Sequence, residues 1–384
     1  MEKTITQNIH MVDLNGQYKK IEAEVNQAIQ KVIDSSAFIN GAPVKAFAQN
    51  LATFLDVKHV IPCANGTDAL QVALMAFDLQ PGDEVIVPAF TYIASVEVIA
   101  LLGLTPVLVD VDPHTFNISV EAIRKAITPR TKVILPVHLF GQCADMEPIM
   151  DIAREFNLRV LEDNAQAIGA HYTFADGTVH TAGAIGDLGT TSFFPSKNLG
   201  CFGDGGAMIT NHAEFAEKTR VIASHGQTKK YIHDVIGVNS RLDTLQAAIL
   251  DVKLKQLGTY ITARQNAAAY YDKAFGNSEH LAIPQRADNS THVFHQYTLK
   301  LQDSSKRDQL KDYLKAQGIP SMVYYPLPIH YQNAFKHFEQ YQHNEGDFPV
   351  AESLCNSVIS LPIHTELTTD IQDYIIDHVK AFFS

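Results

Sequence analysis

The feature that most constrains this chain is an alternation. From about residue 59 to 210, short β-branched runs trade places with stretches of helical periodicity. The strand-like runs are 59–64, 84–90, 105–111, 132–141, 159–165, 189–194 and 206–210; helical patterns fill 67–78, 92–102, 119–127 and 145–157. In the first helix Leu70, Ala73, Leu74 and Phe77 fall at i, i+3, i+4 and i+7, which makes one apolar face. Strands separated by helices can pair in parallel, and the crossover helices then cover the sheet. The expected class is therefore α/β, although strand order cannot be read from spacing.

Past about Asp243 the rhythm changes. One long helical stretch, DTLQAAILDVKLKQLGTYITARQNAAAYYDKAF, leads into strand-like HVFHQYTLKL, a helix near 306–317, strand-like SMVYYP and closing helices. This predicts a large domain over residues 1–250, with an N-terminal helical segment, and a smaller α+β domain over 251–384. Hydrophobic residues make up 46% of the 384, enough for a sizeable core.

Charge narrows the function. The balance of 42 acidic against 30 basic residues gives −12, which opposes a nucleic-acid binder. Cys63, Cys143, Cys201 and Cys355 are scattered without a CxxC pair, so neither zinc nor a disulfide framework is signalled. Seventeen histidines include no HExxH, and no metal is expected. The first residues lack a secretory pattern and no apolar run approaches membrane length, so a cytoplasmic protein without a membrane partner is expected.

Three places carry chemistry. Lys197 is the only charged residue between Leu188 and Gly203, in TTSFFPSKNLGCFGDGG. A solvated surface lysine is the ordinary reading. Apolar, aromatic and glycine-rich flanks instead suit a partly buried turn, where desolvation favours the neutral amine that Schiff-base chemistry needs. Asp163, in RVLEDNAQ, ends an apolar run and so sits at the C-terminal end of a strand, the edge where open α/β sheets bind ligands. It reads as a helix N-cap, a structural carboxylate, or a partner for a protonated pyridine nitrogen. Glu162 should point the opposite way. In CANGTDALQ a strand runs through a Gly turn into a helix, whose N-terminus suits a phosphate; alone the signal is weak.

These pieces occur within a longer series: CANGTDAL at 63–70, PAFTYIAS at 88–95, DVDPHTFNI at 110–118, PVHLFGQCADM at 136–146, LEDNAQAIGA at 161–170, SFFPSKNLGCFGDGGA at 192–207 and GVNSRLDTLQAAIL at 237–250. In their order and spacing the chain resembles the sugar-nucleotide aminotransferases, which have the type I fold of pyridoxal-phosphate (PLP) enzymes. The likeness spans nearly the whole chain and is closest to the branch acting on UDP-2-acetamido-2-deoxy-3-oxo-glucuronate. The resemblance implies a mostly parallel seven-stranded sheet flanked by helices. It also implies a PLP/PMP cofactor, L-glutamate as donor, a nucleotide-linked keto-sugar as acceptor, and a product for surface polysaccharide synthesis.

Carried over residue by residue, Lys197 would hold the cofactor and shuttle the proton, and Asp163 would pair with the ring nitrogen. Gln166 would contact the ring-hydroxyl side and Tyr92 would stack on the ring. Gly66, Thr67 and Ser192 would hold the phosphate. Asn239 would reach the phosphate of a partner subunit in a homodimer with shared sites, and Arg241 would meet the anionic part of the substrate. His225, Tyr324 and Tyr325 would lie near the sugar, and His330 is a further neighbour there, although a structural or surface histidine is its ordinary reading. Some relatives have His-Tyr where this chain has Tyr324-Tyr325, so a neutral hydroxyl replaces a group that can be cationic. Two other readings share the cofactor: a dehydratase or lyase, whose known variant replaces the lysine by His, and a non-catalytic PLP-binding regulator.

Overall fold

A computed structural model describes residues 8–336 and 343–384. Three helices, α1 (Leu14–Lys19), α2 (Glu22–Ser35) and α3 (Ala42–Leu55), precede the alternating region. That region runs β1 (His59–Cys63), α4 (Gly66–Ala76), β2 (Glu84–Pro88), α5 (Ala94–Leu101), β3 (Thr105–Val109), α6 (Val120–Ala126), β4 (Thr131–Ile134), α7 (Met146–Phe156) and β5 (Arg159–Asp163). A small hairpin, β6 (His171–Thr173) and β7 (Val179–Thr181), intervenes before β8 (Leu188–Ser192), β9 (Gly206–Thr210) and α8 (Ala213–Ile222).

Strand order in the main sheet is β1-β9-β8-β5-β4-β2-β3. β3, β2, β4, β5 and β8 pair in parallel, while β9 is antiparallel to both β8 and β1. The mostly parallel seven-stranded sheet expected from the resemblance is therefore present. Its inner strands are buried on both faces: all five residues of β2 and of β9 are inaccessible, as a sheet covered by helices on each side requires, while the edge strands β1 and β3 are half-buried. α4, α5 and α8 pack on one core, α6 and α7 on a second, and α3 with the helix after Asp243 on a third.

Beyond the sheet come a short hairpin, β10 (Gln227–Lys229) and β11 (Ile232–His233), then α9 (Thr244–Leu254) and α10 (Leu257–Phe275). β12 (Leu281–Ala282), β13 (Tyr297–Leu301), α11 (Arg307–Ala316), α12 (Pro349–Ser357), β14 (Val358–Leu361) and α13 (Thr369–Phe383) complete the chain. β12, β13 and β14 form an antiparallel sheet, and α10, α11 and α13 share a separate core with it. Arg264 of α10 is fully buried there and donates to the carbonyls of Phe294, His295 and Ile363. The N-terminal segment returns to this region: the Ile363 N–H bonds the Met11 carbonyl and Gln17 reaches Thr365.

Four expectations change. The long helix after Asp243 is two helices. The Gln256 N–H bonds the Lys253 carbonyl, a tighter i to i−3 closure that separates them, and Leu254 and Leu257 on either side of it enter the same core. The run 132–141 is regular only to Ile134. Pro136 offers no N–H, and Phe140 takes φ 57° inside a 3₁₀ turn. In HVFHQYTLKL only Tyr297–Leu301 is strand, because Val293 and Gln296 bond instead to Gly141 and Phe140. SMVYYP contributes a single bridge, Met322 with Ser360. Among the described residues no helix is long and apolar enough to cross a membrane.

Candidate active site

Every turn that matters lies at one edge of the main sheet. Gly66 and Thr67 follow β1, Tyr92 follows β2, Asp163 ends β5, Ser192 ends β8 and Lys197 follows it. This is the C-terminal edge of the parallel strands, where helix N-termini and strand ends converge.

Lys197 sits in a turn closed on itself. Its N–H bonds the Phe194 carbonyl at 2.8 Å, and Cys201 N–H returns to Phe193 at 2.8 Å. At Gly200 a Cβ would lie 2.3 Å from the Pro195 carbonyl oxygen, so no larger residue fits this closure. From below, the buried Lys253 donates to the Gly200 carbonyl at 2.5 Å; from the side, Asn198 donates to Val293 at 2.9 Å. The Lys197 side chain is half-buried. Burial pushes its ammonium down from 10.5 to about 8, and the nearby Asp163 carboxylate opposes part of that fall. The bland reading, a solvated surface lysine, does not describe this side chain.

Asp163 and Glu162 do point to opposite sides of β5. Asp163 accepts from Ser95 Oγ at 2.7 Å and from the Ala165 N–H at 3.0 Å. Glu162 is fully buried beneath it, facing His138 Nε2 at 2.8 Å and accepting from the N–H groups of Gly183, Ile185 and Gly186. His138 Nδ1 accepts from the Ala144 N–H at 3.1 Å, so its Nε2 carries the proton given to Glu162. Glu162 thus ties β5, the loop after β4 and the turn before β8 into one body.

The turn after β1 is shaped as a cradle. Asn65 caps α4 by accepting from the Asp68 N–H at 2.8 Å. Gly66 and Thr67 stand in the first turn, where a helix supplies no acceptor of its own. A Cβ at Gly66 would meet Ser192 Cβ at 2.7 Å, so the glycine lets the two loops close on each other. A phosphate held there would meet N–H groups, two hydroxyls and the positive end of α4.

An aromatic wall stands beside the edge. Tyr92 is 56% exposed and its ring lies 6.1 Å from that of Tyr325, which also packs edge-on against Phe90. Gln166 is held at both ends: its Oε1 accepts from Phe140 N–H at 2.7 Å and its Nε2 donates to Tyr325 Oη at 3.0 Å. Tyr324 faces Gln296, and burial pushes both tyrosine hydroxyls up.

Asn239, Arg241 and His225 stand apart. Burial alternates through 239–244: Ser240 is buried and bonds the Ala64 N–H at 3.1 Å, while Asn239 and Arg241 face outward. Neither of those two side chains bonds another described residue. His225 is exposed at φ 61°. His330 is buried against Glu352 at 3.1 Å, as the structural reading expects. Within one chain the structure therefore gathers Lys197, Asp163, Gln166, Tyr92, Gly66, Thr67, Ser192, Tyr324 and Tyr325 along one edge, and leaves Asn239, Arg241 and His225 on its outside.

Sequence reasoning assigned no role to Ser95, His138 or Lys253. His138 interrupts the apolar run LPVHLF and Ser95 the apolar helix ASVEVIAL; a polar residue in such company was the available signal. Lys253 gave none, since it reads as one of several lysines on a helix.

With this geometry in place, comparison with known proteins is direct. A model of the DegT/DnrJ/EryC1/StrS aminotransferase family matches residues 19–380. The UDP-N-acetyl-3-dehydro-alpha-D-glucosamine 3-aminotransferase of Acidithiobacillus ferrooxidans is 45% identical, over 94% of this chain and 95% of its own. The UDP-2-acetamido-2-deoxy-3-oxo-D-glucuronate aminotransferase of Pseudomonas aeruginosa is 43% identical, over 94% and 96%. A "pleiotropic regulatory protein" of Geobacillus stearothermophilus is 45% identical, over 98% and 99%. Among solved structures, S. venezuelae DesV in complex with a ketimine intermediate matches with a TM-score of 0.93 at 37% identity, covering 98% of this chain and 99% of that one. A Bacillus subtilis structure, ntda with bound cofactor PMP, matches with a TM-score of 0.90 at 29% identity, covering 100% and 86%.

Proposed function

The chain belongs to the DegT/DnrJ/EryC1/StrS aminotransferase family, whose members depend on PLP, and from that premise we propose that it moves the amino group of L-glutamate onto a UDP-linked 2-acetamido-3-oxo sugar. The hexuronate form is our first choice, because Arg241 offers a planar fork to a carboxylate. The product would feed surface polysaccharide synthesis.

One observation carries the reading: a half-buried lysine amine, brought down to about 8, shares the sheet edge with the Asp163 carboxylate and the Gly66 cradle. These residues fit the cofactor. Gly66, Thr67 and Ser192 would hold its phosphate, Tyr92 its face, Asp163 its ring nitrogen, and Gln166 the side bearing its hydroxyl. PLP supplies the electron sink for the carbon that loses its proton. Lys197 Nζ would hold the cofactor, and its amine would move the proton to and from that carbon. Tyr324 and Tyr325 would offer neutral hydroxyls to the sugar, and His225 would stand nearby.

The outward Asn239 and Arg241 support a second copy. Beside them the β10–β11 hairpin exposes Tyr231 at 79% and the segment after it exposes Ile236 at 87%, an apolar arm that one chain leaves uncovered. We place the arm against a partner, with Asn239 at that partner's phosphate. Four buried free thiols suit the cytoplasm.

The test is an aminotransferase assay with glutamate on UDP- and dTDP-linked 3- and 4-keto sugars. The reading expects 2-oxoglutarate released in step with amination of a UDP-linked 3-keto sugar; no release with any acceptor would overturn it. The relative named as a regulator favours a second reading, PLP binding without turnover. The net charge of −12 speaks against a nucleic-acid-binding regulator, and the same assay decides between binding and turnover.

A further inference from the structure

Asp163 has two oxygens, and the structure fixes both. Oδ1 accepts from the N–H of Ala165 at 3.0 Å, a bond inside its own turn. Oδ2 accepts from Ser95 Oγ at 2.7 Å, a bond from a different element sixty-eight residues away in sequence. Ser95 in turn lies 3.3 Å from Thr91 Oγ1. All three side chains are sealed from solvent, with exposures of 3% for Thr91, 1% for Ser95 and 5% for Asp163.

The direction of this chain follows from the chemistry of its end. A carboxylate can only accept, so the single Ser95 proton goes to Asp163. Ser95 Oγ then has no proton left for Thr91, and Thr91 must be the donor to Ser95. The order is Thr91 to Ser95 to Asp163, all pointing one way. A buried hydrogen bond to an ionised group is among the stronger ones in proteins.

The chain also couples two parts of the site. Thr91, Tyr92 and Ser95 belong to one turn leading from β2 into α5, and Ser95 N–H bonds the Tyr92 carbonyl at 3.3 Å. The same turn therefore presents the Tyr92 ring and grips the Asp163 carboxylate. A carboxylate at a strand end can rotate about its last bond; Ser95 at Oδ2, together with the Ala165 N–H at Oδ1, removes that freedom.

We infer that Ser95 is a positioning residue: through its hydroxyl, itself oriented by Thr91, it fixes the Asp163 carboxylate so that the remaining lone pairs face the cofactor's ring nitrogen. This rests on the PLP assignment made above.

The test compares wild-type holoenzyme with Ser95→Ala and with Ser95→Cys, which keeps the shape but donates weakly. Three quantities are read: visible absorption of the bound cofactor against pH, the PMP dissociation constant by equilibrium dialysis, and kcat and KM. Both variants are expected to shift the absorption titration, to bind PMP roughly tenfold more weakly and to lose roughly tenfold in kcat, with sugar KM unchanged. Thermal midpoints of the apo forms should fall modestly, as loss of a buried hydrogen bond to a carboxylate requires, so the spectral titration and PMP affinity are what separate positioning from stability. Wild-type spectra and kcat in both variants would overturn the inference. So would impairment of Ser95→Ala alone, which would indicate packing instead of a hydroxyl, or a loss of apo stability without a spectral shift. Wild-type protein without a visible band would instead bring down the PLP assignment itself.

Discussion

The amine of Lys197 offers a sharp quantitative prediction. At pH 7 a lysine titrating at its ordinary 10.5 is neutral in roughly one molecule in 3,000, whereas one titrating at about 8 is neutral in roughly one in eleven. Burial should therefore raise the reactive fraction about 300-fold. Asp163 works against this, since its charge favours the ammonium. The perturbation is Asp163→Asn in the apoenzyme, read by stopped-flow capture of added PLP across a pH series. Wild-type capture should rise with pH to a midpoint near 8. In Asp163→Asn the midpoint should fall and capture at pH 7 should quicken, even though the loaded variant turns over more slowly for want of a partner at the ring nitrogen. A wild-type midpoint near 10.5, or a midpoint that rises in the variant, would refute the reasoning.

Two further predictions follow from neighbouring residues. Lys253 is buried and also lowered to about 8, so above pH 8 the folded protein binds fewer protons than the unfolded chain and this lysine's contribution to stability improves up to 10.5. Below pH 8 its charge costs up to about 3 kcal/mol; Lys253→Met in urea melts should compare best with wild type there and lose ground as pH rises, and a pH-independent difference would sink the idea. For the shared site, inactive Lys197→Ala and Asn239→Ala proteins should regain activity when unfolded together and refolded, since a mixed dimer assembles one complete site; no recovery despite mixed dimers would count against Asn239 crossing between subunits.

What could be read from the chain divides along a physical line. Features encoded by neighbours in sequence were legible. The alternation of strands and helices gave the α/β class, and α4, α5, α6 and α7 begin and end within two residues of their expected positions. Asp163 at a strand end, Glu162 on the other face and a half-buried Lys197 in a tight turn all followed from local pattern. The failures lie where distant contacts overrule it. The apolar run 132–141 has strand composition throughout, yet beyond Ile134 its regular ladder stops at Pro136 and the chain turns at Phe140, whose carbonyl and that of Gly141 are taken by Gln296 and Val293. The helix after Asp243 breaks at 255–256, where the Gln256 N–H turns back to the Lys253 carbonyl, and nothing in the local composition marks that point.

The same line runs through the site. Lys197 is legible as a lysine in apolar company, but what makes its amine available is burial by elements far along the chain. Lys253 secures the turn's far end through Gly200, and Asn198 secures its flank through Val293. Asp163 is legible as a strand-end carboxylate, but its orientation comes from Ser95 on another crossover. The alternation at 239–244 carries this one step further. With Ser240 turned in toward Ala64, Asn239 and Arg241 must turn out, away from the cradle of their own chain. The inward serine braces the turn after β1 while its two neighbours face out; in the proposed dimer it would aim them at the second copy, so loss of the Ser240 bond to Ala64 should then disturb both sites of a pair at once.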